Sequence, residues 1–180
     1  ANYVESSIGA PNEQARITVR PEGHVDVVIG TQPSGQGHET SFAQVVSDLM
    51  RVPVECVKII LGDTDVVKVG GGSHSGRSMR HAATVFSKAM PDLIARGKEV
   101  AAVVFGEPPE HVTYDDGRFG ARDSNRTFDF LELAKEAANH TLPEPLKDGI
   151  AVVTDNEMHD PVFPNGTAIC EVEIDPDTGD

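Results

Sequence analysis

Residues Gly30 to Gln44 read "GTQPSGQGHETSFAQ", and the first half of that stretch offers almost no side chain to pack. An apolar run ends at Ile29, a loop of glycine, proline and serine follows, and Phe42, Val45, Val46 and Leu49 then recur at helical spacing. Such a junction either turns a corner or presents bare backbone N–H groups to something negative. Ser41 and Gln44 fit a capping box, so the spacing predicts a helix of roughly 10 to 14 residues opening near Ser41 and ended by Pro53.

Outward from this stretch the same grammar repeats. The β-branched segment "ECVKIILGD" (Glu55 to Asp63) leads to a second glycine loop, "GGGSHSG" (Gly70 to Gly76). Behind it Val85, Phe86, Ala89, Met90, Leu93, Ile94, Val100 and Val104 form one apolar stripe, in which Pro91 and Gly97 predict a kink or two shorter helices. "ARITVRPEGHVDVVIG" (Ala15 to Gly30) reads as a hairpin, and "HVTYDDGRFGA" (His111 to Ala121) as a second one turning at Asp115-Asp116-Gly117. Asp129 and Glu132 cap a short helix carrying Phe130, Leu133, Ala134 and Ala137, and strands are expected at "IAVVT" and "TAICEVEI". The resulting order, β-β-α-β-α-β-β-α-β-β, predicts an α+β fold of two layers, with helices packed on a mixed sheet. A soft subdomain boundary is expected near residues 105–110.

Composition narrows the function. The chain has 180 residues, a formal charge of −14 and 38% hydrophobic residues. That length suits one domain or two small ones, and the acidic balance argues against a nucleic-acid surface. No apolar stretch approaches the roughly 20 residues that cross a bilayer, so no membrane partner is expected and the cytoplasm is the default compartment. Cys56 and Cys170 each sit in an apolar alternating segment and read as buried free thiols. Acid is absent from Val66 to Pro91, where Lys68, Arg77, Arg80 and Lys88 make a cationic island that favours one small anion. The alternating "AICEVEI" is followed by "DPDTGD", a tight-turn signature that should deliver the chain into a partner strand, so the sequence is expected to be a piece of a longer polypeptide.

Each glycine loop ends at a helix start, where about four N–H groups lack partners and the aligned peptide dipoles place roughly half a positive charge. Two such ends that converge would hold linked phosphates. Ser34, Ser73, Ser75 and Ser78 add hydroxyl donors without bulk, and Arg77 can add a forked pair of donors. Gln36 both donates and accepts, which suits a heterocycle edge or a metal oxo group as well as a surface turn. His38, His74 and His81 lack the spacing of a metal site, and no catalytic set is recognisable. "GTQPSGQG" lacks the lysine ending of the nucleoside-triphosphate loop, whereas "GQGHET" matches the first two glycines of the dinucleotide fingerprint with Thr40 in place of the third. A stand-alone NAD- or ATP-type binding module without catalysis is therefore an alternative reading.

The strings "GTQPSGQGHETSFAQVVSDLMRVPVECVKIILGDTD", "GGGSHSGRSM" and "FPNGTAICEVEIDPDTGD" together resemble the molybdenum-cofactor-binding large subunit of the xanthine dehydrogenase, aldehyde oxidase and carbon monoxide dehydrogenase family, across nearly the whole chain. The resemblance implies a molybdopterin cofactor, in bacteria usually the cytosine dinucleotide. It places Gln36, with Gly35 and Gly37, close to molybdenum without ligating it. It assigns the cofactor phosphates to the second loop, Ser73, His74, Ser75, Gly76, Arg77 and Ser78. It also implies flavin and iron–sulfur clusters on partner subunits or domains, and a general-base glutamate in a segment this chain does not contain. No catalytic residue is expected within these 180 residues, and the chain by itself is expected to be inactive.

Overall fold

The computed structural model describes residues 1–6, 9–122 and 124–180. In chain order the strands and helices are β1 (Asn2–Val4), β2 (Asn12–Arg20), β3 (His24–Ile29), α1 (His38–Met50), β4 (Val57–Ile60), α2 (Arg77–Phe105), β5 (Val112–Asp115), β6 (Arg118–Ala121), β7 (Thr127–Phe128), α3 (Phe130–Ala137), β8 (Ala151–Glu157) and β9 (Asn165–Thr167). The fold is α+β, with helices laid on mixed sheets, as the sequence predicts. The central sheet has the order β4-β3-β2-β8, with β3 and β4 parallel and the other pairs antiparallel. A three-stranded sheet, β5-β6-β7, and a two-stranded ribbon, β1-β9, complete it.

Both hairpins form where the turn residues require. Gly23 at φ 89° closes β2 onto β3, and Asp116 (φ 40°) with Gly117 (φ 84°) supplies the two positive φ angles of a tight two-residue loop between β5 and β6. Inward-facing Ala15, Ile17 and Val19 of β2 and Val25, Val27 and Ile29 of β3 meet Phe42, Val46 and Met50 of α1 and Val85, Phe86, Ala89 and Leu93 of α2 in one hydrophobic cluster. Phe119, Phe130 and Leu133 extend the same cluster beyond the stretch Phe105–Glu110.

Four expectations need correction. First, α1 begins at His38, not near Ser41: Gly37 in the left-handed region (φ 73°) is its N-cap, and the Ser41 hydroxyl bonds back to the Gly37 carbonyl. Second, α2 runs unbroken through Pro91 for 29 residues. The carbonyl that Pro91 leaves without a helical donor belongs to exposed Ser87, on the side where water can satisfy it. Gly97 is needed for packing, since a Cβ built there would lie 2.3 Å from Cζ of buried Phe119. Third, the alternating stretch from Ala168 to Ile174 is not a strand: no described strand lies beside it, and Ile169, Val172 and Ile174 stay 92%, 74% and 66% exposed. Fourth, and for the same reason, Cys170 is exposed, while Cys56 is half-buried; both thiols are free.

The helix α3 caps itself. The Asp129 carboxylate accepts from the Glu132 N–H at 2.8 Å, and Glu132 accepts from the Asp129 N–H at 2.9 Å, which holds the Glu132 carboxyl below its usual range. An Asp129→Ala variant is expected to lose about 1 kcal/mol of unfolding free energy in urea titration at pH 7.

Candidate functional site

The topology explains why the two glycine loops meet. β3 and β4 are adjacent and parallel, so the segments leaving their carboxyl ends depart from the same edge of the sheet. The first runs into α1 and the second into α2. Their bases cross at Gly30 and Gly70, where a Cβ built on Gly30 would fall 2.3 Å from the Gly70 Cα. Their tips are joined by a hydrogen bond, Gln36 Nε2 donating to Ser73 Oγ at 3.2 Å, and the Ser78 hydroxyl donates to the same Ser73 oxygen at 2.9 Å. The Gln36 carbonyl oxygen accepts from the Ser34 N–H.

Above this junction lies a groove of about 400 Å³ lined by Gln36, His38, Ser73, His74, Ser75, Gly76, Ser78, Met79 and Glu5. It thus contains the first residue of α1 and the first turn of α2. Both helices are capped by a glycine in the left-handed region, Gly37 at φ 73° and Gly76 at φ 64°, and neither has a side-chain cap. The Arg77 N–H already turns back to the His74 carbonyl at 3.1 Å and the Thr40 N–H to the Gly37 carbonyl at 3.2 Å, so what the two helix starts offer the groove is their dipole ends and the first-turn N–H groups of His38, Glu39, Ser78 and Met79. Gly35, Gly37 and Gly72 all have positive φ and open space where a Cβ would project, so nothing of the protein crowds the backbone there. Of the nine residues read from sequence, Gln36, Ser73, His74, Ser75, Gly76 and Ser78 line the groove, with Gly35 and Gly37 flanking Gln36.

Arg77 behaves otherwise. Its guanidinium is 1% exposed and turned inward, where Nη1 donates to Glu13 Oε2 at 2.9 Å and to the Gly72 carbonyl at 2.6 Å. Nε and Nη2 donate to the carbonyls of Ala10 and Asn12 at 3.0 Å each. The forked donor expected to face a phosphate is thus engaged inside the protein. Other cations of the expected island are engaged as well, Lys68 on the Thr64 carbonyl and Lys88 on Asn156 Oδ1. The groove's attraction for an anion rests on helix ends, backbone amides and hydroxyls, with the exposed Glu5 carboxylate on its lip.

Two histidines complete the surroundings. His38 is 5% exposed, stacks on Phe42 at 4.6 Å and hydrogen-bonds through Nδ1 to the Thr31 carbonyl at 2.8 Å, which leaves Nε2 as its other polar atom. His81 is 2% exposed and its Nδ1 has no partner. Burial, then the charges of Arg77 and Arg80, push its pKa down to about 4, so it is neutral at pH 7. Glu13 escaped the sequence reading, although it shares the strand parity of Ala15, Ile17 and Val19 and so had to point inward.

A family model for the molybdopterin cofactor-binding domain matches residues 1–180. The chain belongs to this family. The carbon monoxide dehydrogenase large chain of Afipia carboxidovorans is 28% identical over 167 residues, covering 93% of this chain and 21% of that one. The 6-hydroxypseudooxynicotine dehydrogenase complex subunit gamma of Paenarthrobacter nicotinovorans is 28% identical over 171 residues, again 93% of this chain and 21% of the relative. A crystal structure of Cu,Mo-CO dehydrogenase in its carbon monoxide reduced state superimposes with a TM-score of 0.75 at 24% identity, over 92% of this chain and 22% of that one. Quinoline 2-oxidoreductase from Pseudomonas putida 86 gives 0.67 at 23% identity, over 92% of this chain and 24% of that one. These two likenesses establish a shared fold. The molybdopterin cofactor-binding chain spans about a fifth of the length of these curated relatives. Among the described residues, no helix is long and apolar enough to cross a membrane.

The site residues fit such a cofactor. Two helix starts without side-chain caps, three serine hydroxyls and an amide surround a groove whose volume lies within the usual range for small-ligand sites. A pterin offers ring donors and acceptors for the amide, and linked phosphates match the helix ends.

Proposed function

We propose that this chain holds a molybdopterin dinucleotide, in its cytosine form, as one segment of a larger cytoplasmic oxidoreductase subunit of molybdenum hydroxylase type. One observation carries the reading. The two helices that begin at the groove lack side-chain caps, while α3, which begins elsewhere, satisfies its own first turn with Asp129 and Glu132. Gln36 and Gly35–Gly37 would face the pterin near molybdenum; Ser73, His74, Ser75, Gly76, Ser78 and the α2 amides would take the phosphates. Arg77 contributes through the loop it fixes, not through its guanidinium. Once bound, the cofactor supplies two-electron redox chemistry at molybdenum. The residues of this chain bind and orient it, and no general base is assigned among them. Flavin and iron–sulfur partners, together with the remaining part of the large subunit, complete the proposed enzyme.

The test is a charge placed in the groove without disturbing the fold. In a Ser73→Asp variant the carboxylate still accepts from Gln36 Nε2 and Ser78 Oγ, but it stands where a phosphate is proposed to lie. In protein expressed at the full length of its gene, molybdenum and releasable CMP per protomer should fall at least tenfold, with an unchanged melting curve. Unchanged cofactor content would refute the reading, and tight binding of NAD or ATP in the same groove would favour a nucleotide module in its place.

A further inference from the structure

The geometry points to Glu13 as a positioning residue that locks the two glycine loops together at their base, an inference that rests on those loops holding the cofactor. Glu13 is the second residue of β2, and the antiparallel register that pairs Ala15 with Ile29 brings it to the carboxyl end of β3, where the first loop departs. Its carboxylate is fully buried. Oε1 accepts from the Gly30 N–H at 3.1 Å, in the first loop, and Oε2 accepts from the Gly71 N–H at 3.3 Å, in the second. Oε2 also takes Nη1 of Arg77, the first residue of α2.

One carboxylate therefore fixes the roots of both loops and the start of one of the two helices whose ends face the groove. Arg77 anchors the assembly from the other side through the carbonyls of Ala10, Asn12 and Gly72. Hydrogen bonds to an ionised acceptor away from water are stronger than neutral ones, which suits a joint that must hold backbone in one arrangement. Stability alone is a poor explanation for the pair, since an apolar pair of similar volume is often as stable as a buried ion pair. What an apolar pair cannot do is accept the two loop amides.

The experiment compares, in protein expressed at the full length of its gene, Glu13→Gln, the double variant Glu13→Gln with Arg77→Met, and Asp129→Ala as a destabilised control remote from the loops. Molybdenum and CMP content are measured per folded protomer. The latch predicts at least a tenfold loss of both in the double variant even where its melting curve matches wild type, and full content in Asp129→Ala. A folded double variant with wild-type cofactor content overturns the inference. If the Glu13 variants do not fold, hydrogen exchange of the unaltered protein decides: the Gly30 and Gly71 amides should be protected together, and free exchange at either one overturns it. Failure of the underlying reading is separable, because Ser73→Asp would then leave cofactor content intact, whereas failure of the latch alone leaves Ser73→Asp depleted.

Discussion

A Gly30→Val variant is expected to unfold with a loss of about 3 kcal/mol and to retain no cofactor. The reason is backbone against backbone. A Cβ at Gly30 would lie 2.3 Å from the Gly70 Cα, 2.8 Å from Glu13 Oε1 and 2.9 Å from the Val69 carbonyl oxygen. Two of the three are backbone atoms and the third belongs to a buried carboxylate held by the Gly71 N–H and Arg77, so the loops themselves must separate. Separation also pulls the Gly30 amide off Glu13. For a chain of this size, 1 kcal/mol corresponds to roughly 2–4 °C, so a melting drop on the order of 10 °C is expected. Differential scanning calorimetry with molybdenum analysis checks both halves; a variant that melts within a degree or two of wild type would show that the loops do not cross as described.

Acid should destabilise the protein through His81. Its folded pKa of about 4 lies below the ordinary histidine value of 6.5, so as pH falls from 6.5 toward 4 the unfolded chain takes up a proton that the folded chain refuses. The stability contributed by the neutral imidazole is complete above pH 6.5 and is lost across that window, by roughly 2–3 kcal/mol in total. Below about pH 4 the folded state is protonated too, with a third positive charge beside Arg77 and Arg80. The contribution is isolated by difference. Urea titrations of wild type and His81→Leu between pH 7 and 4 should converge as the pH falls, the variant gaining relative to wild type. Parallel profiles would mean that His81 titrates alike in both states.

Much of this was legible in the sequence, for physical reasons that differ by element. The hairpins followed from turn residues whose φ requirements few other residues meet, as at Asp116-Gly117. The apolar stripe of α2 followed from its period, and the α3 cap from the Asp129–Glu132 spacing. The helix start at Gly37 did not, because Ser41 and Gln44 offered a cap that the chain passes over in favour of a left-handed glycine. The strand expected at 167–174 forms only at Thr167, the end of β9, because alternation records which faces a strand would bury, not whether a ladder partner exists. The glycines and serines that lie at the groove stood out in the sequence because each glycine loop runs directly into a helical pattern, and the family resemblance singled out the same loops. The direction of Arg77 was not, since it depends on Glu13, which lies sixty-four residues earlier in sequence and meets it only through the sheet register.

The exposed side chains of Ile169, Val172 and Ile174 also give the chain a colloidal character. An apolar segment that has no ladder partner is a template on which a second copy can lay itself. Mutual repulsion between bodies carrying −14 each opposes that meeting, and dissolved salt shortens the reach of this repulsion. Light scattering from these 180 residues is therefore expected to stay low in dilute buffer well above pH 4.8, where the charge vanishes, and to rise in brine or mild acid.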